Sequence, residues 1–411
     1  MSRFSFRPRL LLSVLLALLL PGCAQAGPRN IIVMIADGAG YNVAQAASLF
    51  RSGELSRLPQ QQLSVQFAVS TFPAGGSYDP AKAWTDFAYL KSGFTDSAAV
   101  ATALVTGVKT KNGWLGVDPQ GQPLKTILER AEELGKATGV VTDDVLCGAT
   151  PAGYLVHVAG RGQYERIAAD MFGSATDVIM GRGHPPVTPA GQEPKASDYQ
   201  FVGGVANWNQ LVAGTLGADA KPGPWKLVPD AAAFAALSAG QIPPRPAVVS
   251  AENLPLRDMA AVALSALSRD PDGFFVMIEE AETDHAGHAN NSAGAVEAEL
   301  SFSDAVQTVL DWVGAHSNWT DTLLVVLSDH ETGLLTGPDS DPEFKPLVNN
   351  GVGKLPGMQW HTGNHCNTLI PLFAKGDVAA AFAAYADETD PVRGKYLDNT
   401  EVAKVLFEAF R

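Results

Sequence analysis

Basic residues are scarce in this chain relative to acidic ones. Its 411 residues include 29 Lys and Arg against 43 Asp and Glu, which gives a formal net charge of −14. Proteins that bind nucleic acid rely on clustered Lys and Arg to contact phosphates, so the composition argues against nucleic acid as a specific partner. Part of the acidic excess is available as metal ligands, whose charge a bound cation would neutralise.

A hydrophobic run long enough to cross a bilayer is also missing. The apolar run LLLSVLLALLL spans residues 10–20 and is too short for a transmembrane helix. It follows three arginines and precedes Ala24-Gln25-Ala26, a combination typical of a signal peptide that is cleaved after residue 26. A lipoprotein signal, with lipid on Cys23, is the alternative, although Pro21 makes that motif imperfect. The sequence therefore predicts an exported protein, periplasmic or secreted, whose mature charge is −17.

Cysteine is rare, and the chain contains no internal repeat or low-complexity tract. Only Cys147 and Cys366 remain after residues 1–26 are removed, so at most one disulfide can form within the mature chain. The exported compartment permits such a bond. Sequence alone does not establish whether the two sulfur atoms meet, and two free, buried cysteines are the favoured interpretation.

Short apolar runs alternate with amphipathic segments along the chain. Runs typical of buried strands occupy residues 30–37, 137–143, 273–280, 322–329 and 368–376. Helical periodicity occupies residues 124–135, 256–268 and about 292–315. The alternation predicts an α/β fold, a three-layer α/β/α sandwich around a mostly parallel sheet. We expect a single domain over residues 27–411, with loop-rich insertions at about 170–250 and 332–364.

Metal-type side chains lie at the ends of several predicted strands. They are Asp37 after the first strand, Glu279, Asp284 and His288 after the third, Asp329 and His330 after the fourth, and His361 and His365 before the last. Functional groups gather at the C-terminal strand ends of such sheets, and carboxylates and imidazoles are ligands of zinc and magnesium. Each of these four sets of side chains could alone belong to an ordinary turn. Four sets at strand ends, together with Ser97 between Asp96 and an alanine-rich stretch, indicate a metal site.

The segment TDSAAVATALVTGVKTKNGWLGVD, residues 95–118, strongly resembles the nucleophile segment of alkaline phosphatases. Further motifs of that family follow in the family's order between about residues 30 and 376. They are Asp37-Gly38, Thr150 in ATPA with Arg161 eleven residues later, Glu279 with Asp284 and His288 at spacings of five and four, and the pair Asp329-His330. The resemblance covers most of the mature chain.

This resemblance implies an alkaline-phosphatase-like fold and hydrolysis of phosphate monoesters through a phosphoserine. Ser97 would be the nucleophile, Arg161 would clamp the phosphate and Asp96 would orient Arg161. The implied cofactors are two zinc ions and one magnesium ion. The implied ligands are Asp284, His288 and His365 for the first zinc, Asp37, Asp329 and His330 for the second, and Asp37, Thr150 and Glu279 for magnesium.

Two features of the sequence bear on the metal ligands of the family pattern. The family's last histidine precedes the glycine after the closing strand by eleven residues, which favours His365 over His361 because the glycine here is Gly376. The family usually has aspartate or histidine two residues before the threonine, where this chain has Gly148. We therefore expect weaker or less selective magnesium binding at the third site, with zinc or cobalt as replacements. His285, next to Asp284, is either a group of the third site or of the phosphate side, or simply a polar pocket residue.

A phosphodiesterase of the same superfamily is the main alternative. Diesterase relatives lack the arginine clamp and often carry threonine as nucleophile, so Ser97 and Arg161 favour monoesters. A binding protein without catalysis would lack a ligand or the nucleophile, and neither is missing here. The expected partners are small-molecule phosphate monoesters and inorganic phosphate. The natural ester, and whether the protein is a monomer or a homodimer, stay open.

Overall fold

The computed structural model describes residues 27–186, 194–218, 222–341 and 343–411. The signal peptide predicted for residues 1–26 lies outside these ranges. The strands are β1 Asn30–Ala36, β2 Val65–Ser70, β3 Ala137–Val145, β4 Val178–Arg182, β5 Lys226–Val228, β6 Pro246–Ser250, β7 Phe274–Glu280, β8 Thr322–Ser328, β9 Glu331–Thr332, β10 Leu335–Thr336, β11 Gln359–Trp360, β12 His365–Cys366, β13 Ile370–Lys375, β14 Glu388–Asp390 and β15 Gly394–Asp398.

Helices alternate with these strands through most of the chain. They are α1 Tyr41–Ser52, α2 Phe87–Leu90, α3 Ser97–Thr106, α4 Ile127–Glu133, α5 Ala149–Leu155, α6 Tyr164–Gly173, α7 Gly204–Ala213, α8 Ala231–Ser238, α9 Leu256–Leu267, α10 Glu282–His288, α11 Ser292–His316, α12 Phe382–Tyr385 and α13 Asn399–Ala409. Among the described residues, none of these helices combines the length and the apolar character that a membrane crossing requires.

One large sheet organises the molecule, in the order β14-β15-β2-β13-β8-β1-β7-β3-β4-β6-β5. Seven of its ten pairings within the described residues are parallel; the antiparallel ones are β14–β15, β13–β2 and β13–β8. The prediction of an α/β fold with a mostly parallel sheet is confirmed. All five strands expected from apolar runs are present, each within two residues of the expected bounds.

The two faces of the sheet carry separate hydrophobic cores. Along β1, Ile31, Val33 and Ile35 point into one core, and Ile32 and Met34 point into the other. The first core is shared with α3, α4, α5, α6 and α13, and the second with α8, α9 and α11. A strand that is covered on both faces is apolar at every position, which explains why β1 reads as a continuous apolar run. Helices on both faces make the three layers.

The segment at about 170–250 departs from the loop-rich insertion that its Gly and Pro content predicted. Strands β4, β6 and β5 lie within it and extend the parallel sheet beyond β3. Their apolar runs are only two to four residues long, too short to be recognised as strands among the surrounding turn residues. In the described residues of the second segment, 332–364, the regular structure consists of the short strands β10 and β11 and part of β9, with loops between them.

His157, which carried no functional signature in the sequence, forms a structural ion pair. Its Nδ1 atom lies 2.7 Å from the Gly116 carbonyl oxygen, and its Nε2 atom lies 2.9 Å from Glu129 Oε1. Both partners accept, so both ring nitrogens must donate, which only the imidazolium can do. The hydrogen bond to Glu129 raises the pKa of His157 above its usual value. This charge therefore stabilises the folded state fully below about pH 6.5, and the contribution is lost as the pH rises through the higher folded-state pKa.

We expect His157→Gln to destabilise the protein more at pH 5.5 than at pH 9. Because the pair is partly exposed, the penalty at pH 5.5 should be about 1 kcal/mol and should shrink by at least half at pH 9. Thermal unfolding of the metal-loaded protein at both pH values measures this. His184→Gln is the control, since that ring contacts the Pro185 carbonyl instead of a carboxylate. An equal loss for His157→Gln at both pH values would contradict the assignment.

Candidate functional site

Three adjacent strands end in register and deliver the acidic residues to one place. Ala36, the last residue of β1, pairs with Glu280 of β7 on one side and with Ser328 of β8 on the other. The residues that follow these ends, or sit at them, are Asp37, Glu279 and Asp329. Parallel strands that stop at the same level place their next side chains at one edge of the sheet, so the register alone explains why these carboxylates converge.

Asp37, Asp329 and His330 form a buried group whose ligand atoms lie within 4.8 Å of one another. His330 Nε2 is 3.5 Å from Asp37 Oδ1 and 3.2 Å from Asp329 Oδ2. Backbone N–H groups of Gly38 and His330 donate to the other oxygen, Asp329 Oδ1, at 3.1 and 2.8 Å. Asp37 Oδ1 and Asp329 Oδ2 are buried without a hydrogen bond. Buried acceptors without a donor are costly, and a cation in this group would satisfy both.

A second group brings together Asp284, His288 and His365, again with ligand atoms within 4.8 Å. Asp284 and His288 occupy one face of α10, four residues apart, and His365 comes from β12. The outer Nδ1 atoms of His288 and His365 contact the carbonyl oxygens of Gly363 at 2.7 Å and Thr95 at 2.8 Å, so each Nδ1 donates. In neutral rings both Nε2 atoms then carry lone pairs, and these atoms face each other at 3.2 Å. Two lone pairs at this distance repel unless a cation lies between them.

Thr332 connects the two groups. Its hydroxyl donates to Asp284 Oδ1 and lies 3.3 Å from Nδ1 of His330. The side chain is buried, and His365 pairs with Thr332 across the two-residue strands β9 and β12. Thr332 is not among the site residues that the sequence predicts. In the sequence, only its position two residues after His330 points to the site. The strand pairing that brings Thr332 beside His365 joins residues more than thirty positions apart.

Several acidic side chains are buried together in this region, which disfavours their charged forms. Burial, followed by the charge of Asp329, raises the pKa of Asp37 well above its usual value. Burial likewise raises the pKa of Asp329 to about 7 and that of Glu279 to about 8. For His330, burial and then the charge of His365 lower the pKa well below its usual value, which keeps the ring neutral. Carboxylates that repel one another beside a neutral imidazole match the donors of a divalent cation, whose charge would lower these pKa values again.

Ser97 is the first residue of α3 and is buried against the Asp37–Asp329–His330 group. Its Oγ atom lies 3.2 Å from His330 Nε2. The N-cap of α3 is Asp96, whose Oδ1 accepts from the Ala99 N–H at 3.0 Å, so the serine hydroxyl is not used as a cap. The small residues of α3 allow close packing: a Cβ atom on Gly153 of α5 would meet the Ala101 Cβ at 2.6 Å. The helix therefore presents its positive N-terminal end, with Ser97, to the metal-type ligands.

Arg161 follows α5 and is held by the residue that precedes Ser97. Its Nη1 atom donates to Asp96 Oδ2 at 3.1 Å, and its side chain is 39% exposed. The same carboxylate oxygen accepts from the Gly113 N–H at 2.9 Å, and the Arg161 N–H donates to the Gly113 carbonyl at 2.7 Å. Because one turn holds both Asp96 and Arg161, the guanidinium has a fixed direction while its other N–H groups remain available to an anion.

The residues expected at a third cation site are also adjacent. Glu279 lies at the end of β7, and Thr150 lies in the first turn of α5. Burial raises the pKa of Glu279, and the neighbouring Thr142 and Thr150 hydroxyls oppose that rise. The Thr150 hydroxyl and the Tyr154 hydroxyl, one turn further along α5, are buried without a well-formed hydrogen bond. Gly148 is the N-cap of α5 and supplies no side chain.

The remaining candidates lie outside these groups. His361 Nε2 contacts Thr336 Oγ1 at 2.7 Å, and its ring packs edge-on against Phe87, away from both ligand groups. His285 is half exposed and contacts Glu282 at 3.3 Å. Cys147 and Cys366 are both buried and unbonded, as expected.

Comparison with known proteins gives one consistent result. The alkaline phosphatase family model matches residues 28–235 and 240–355 of the chain. Alkaline phosphatase 3 of Bacillus subtilis (strain 168) is 26% identical, over 93% of this chain and 89% of that protein. The alkaline phosphatase of Escherichia coli (strain K12) is 28% identical, over 88% of this chain and 84% of that protein.

Solved structures agree on the fold. The cold-active alkaline phosphatase of a psychrophilic Shewanella sp. is 25% identical, with a TM-score of 0.71 over 93% of this chain and 100% of that chain. A mutant of the alkaline phosphatase from the Antarctic bacterium TAB5, solved with Mg bound in a site called M3, is 24% identical, with a TM-score of 0.65 over 94% and 99% of the two chains. The chain is thus similar to these enzymes in sequence over most of its length, and in fold.

Proposed function

The chain belongs to the alkaline phosphatase family, and from this premise we propose that it hydrolyses phosphate monoesters through a phosphoserine on Ser97. It is a phosphoric monoester hydrolase, as its relatives are. One observation carries the mechanism: the buried Ser97 hydroxyl lies 3.2 Å from His330, within a group of metal-type ligands. A serine hydroxyl is a weak nucleophile at neutral pH and needs such an environment to react.

The proposed reaction has two displacements at phosphorus. Ser97 loses its proton and its Oγ bonds to phosphorus, while the bond to the ester oxygen breaks and that oxygen takes up one proton and leaves as the alcohol. Water then loses one proton and attacks the phosphoserine, the bond between phosphorus and Oγ breaks, and Oγ takes up one proton as inorganic phosphate is released. Arg161 would bind two phosphate oxygens in a bidentate fork, and Asp96 fixes its direction. The first N–H groups of α3 add a positive potential at the phosphate.

We propose that the two ligand groups hold zinc. Their imidazole and carboxylate donors are typical of zinc, the unpartnered oxygens of Asp37 and Asp329 need a cation, and the opposed Nε2 atoms of His288 and His365 need one as well. When bound, the two ions supply Lewis-acid stabilisation of the attacking and leaving oxygens. Thr332 and the carbonyls of Thr95 and Gly363 orient the ligands from outside.

Comparison of a chromogenic monoester with its diester analogue, in zinc and magnesium, tests the substrate class. A monoester presents three non-bridging oxygens and a diester only two. If Arg161 binds two of them, only the monoester has a third non-bridging oxygen left to face the ligand groups, so the site favours the monoester. We expect monoester turnover to exceed diester turnover by at least about 100-fold, or roughly 3 kcal/mol in the transition state. Preference for the diester would move the protein to the phosphodiesterase alternative and remove the role given to Arg161.

We further propose a magnesium site built from Asp37, Thr150 and Glu279. Bound Mg in the TAB5 variant offers support by analogy. With Gly148, this site lacks one of the outer partners that the family usually has, so we expect weaker or less selective magnesium binding in the wild type, with zinc or cobalt able to enter. Full and tight magnesium occupancy would contradict this expectation.

Gly148→Asp is expected to tighten magnesium binding by about tenfold or more, since outer partners of metal sites contribute on that scale. The φ angle of −56° suits any residue, but an added Cβ would lie 3.0 Å from the Val145 carbonyl oxygen, so this turn must shift by a few tenths of an ångström in both variants. Gly148→Asn is the control: it caps α5 equally well but adds no charge. Titration of magnesium into the zinc-loaded protein measures the affinities, and equal affinities for the Asp and Asn variants would contradict the prediction.

Export and domain organisation complete the proposal. We propose that residues 1–26 direct export to the periplasm or medium, in keeping with their charge and apolar run. We also propose that residues 27–411 form one catalytic domain. Support comes from the eleven-stranded sheet, which includes β1 near the start of the described chain and β15 near its end.

A further inference from the structure

The turn at residues 111–114 contacts three parts of the site at once. Lys111 O accepts from the Trp114 N–H at 3.1 Å, which closes the turn. Gly113 has a φ angle of +82°, a conformation that favours glycine. This conformation directs its N–H to Asp96 Oδ2, while its carbonyl accepts from the Arg161 backbone. The proposed phosphate clamp therefore depends on this turn.

Asn112, in the same turn, bridges the peptide that leads into Ser97. Its Nδ2 atom donates to the Phe94 carbonyl at 3.1 Å, and its Oδ1 atom accepts from the Asp96 N–H at 3.1 Å. The two contacts lie on either side of Thr95. The donor and acceptor roles fix the orientation of the amide, because one partner can only accept and the other can only donate.

Thr95 extends this bridge to the second ligand group. Its carbonyl oxygen accepts from Nδ1 of His365 at 2.8 Å, and its side chain is buried. The Phe94 ring lies 6.0 Å from the His365 ring, centroid to centroid. A shift of the 94–96 peptide would therefore move the nucleophile, the residue that orients Arg161, and the carbonyl that orients His365 together.

We propose that Asn112 is a positioning residue that holds the 94–96 peptide, so that Ser97, Arg161 and His365 keep one common geometry. This inference rests on the proposed function, because it assigns Asn112 a role toward that nucleophile, clamp and ligand. Asn112 is itself exposed, and its side-chain hydrogen bonds within the described residues go to the Phe94 and Asp96 backbone and to no member of the two ligand groups. Its side chain can therefore be removed without leaving a cavity, and water can reach the two backbone groups that it now binds. The effect should appear in catalysis far more than in stability.

The test is Asn112→Ala in the full-length, metal-loaded enzyme, with Asn318→Ala as the matched control. Asn318 is also an exposed asparagine that bridges a turn, through the N–H groups of Thr320 and Asp321, but it lies before β8 at the opposite end of the strands. We expect kcat for a chromogenic monoester to fall tenfold to about 100-fold in Asn112→Ala, since small misplacements of reacting groups cost up to about that factor. The inhibition constant of inorganic phosphate should rise severalfold. Zinc should pass to a chromogenic chelator severalfold faster, because the Thr95 carbonyl that orients His365 is no longer held in place.

The outcomes separate a positioning role from a structural one. Asn318→Ala should match the wild type in all three measurements, and the midpoint of thermal unfolding of Asn112→Ala should stay within about 2 °C of the wild type, since a lost exposed hydrogen bond is worth little. Unchanged kcat and zinc release in Asn112→Ala would overturn the inference, and so would a lowered midpoint with unchanged kcat. If instead wild type and Ser97→Ala hydrolyse the monoester equally well, the proposed function fails, whatever Asn112 does.

Discussion

Replacing Ser97 by alanine is expected to lower monoester turnover by about 10³-fold or more. Alanine offers no oxygen to form the covalent intermediate, and removal of a nucleophile costs at least this factor in enzymes that use one. The fold should tolerate the change, because Ser97 loses only its 3.2 Å contact with His330, worth about 1 kcal/mol. Steady-state kinetics with a chromogenic monoester and metal analysis of the same sample measure the effect.

Ser92→Ala controls for disturbance of the loop before α3. Ser92 is exposed, and its hydroxyl donates to the Tyr89 carbonyl at 2.9 Å, in the segment that leads to Ser97. Its replacement should leave turnover within about twofold of the wild type, as for most exposed positions. A Ser97→Ala enzyme with correct metal content and wild-type turnover would mean that water attacks the ester directly, without a phosphoserine.

Replacing His365 by alanine is expected to remove a metal ligand, whereas replacing His361 is not. Loss of an outer partner of a metal site typically costs 10- to 100-fold, and a missing ligand should cost more, so we expect His365→Ala to lower kcat/KM by over about 100-fold. Close to one zinc per chain should also be lost. Elemental analysis after dialysis, together with kinetics, checks both expectations.

His361→Ala is the matched control for this experiment. It lies four residues from His365 in the same segment, but its ring contacts Thr336 and Phe87 and no member of the two ligand groups. Zinc content and kcat/KM should remain within about threefold of the wild type. The reverse pattern, with zinc lost only in His361→Ala, would show that the ligand assignment is wrong.

Most of the side chains that converge on the sheet edge could be predicted from the sequence, because strand register brings them together. Asp37, Glu279 and Asp329 each sit at or after an apolar run that reads unambiguously as a buried strand, and parallel strands in register bring such residues together without further information. The choice of His365 over His361 needed a family spacing. In the structure it depends on the pairing of β12 with β9, two strands of two residues each, which no periodicity reveals.

Other features depend on contacts that leave no local pattern. Strands β4, β5 and β6 join the sheet although proline and glycine dominate the surrounding sequence. Thr332 matters because it lies between Asp284 and His330, and Asn112 because its amide spans two backbone groups near Ser97. Both residues look like ordinary polar loop residues in the sequence. Their roles depend on contacts between segments that are far apart in the sequence. The sequence pattern identifies only residues whose type itself indicates a metal ligand or a nucleophile.

The phosphoserine can be tested directly by identifying the residue that carries phosphate during turnover. The zinc-loaded enzyme would be mixed with a labelled monoester, quenched in acid and digested, and the labelled peptide sequenced by mass spectrometry. We expect up to one phosphate per chain, on Ser97, and no label in Ser97→Ala. Label on another residue, such as Thr95 or Thr102, or rapid turnover without any labelled peptide, would contradict it.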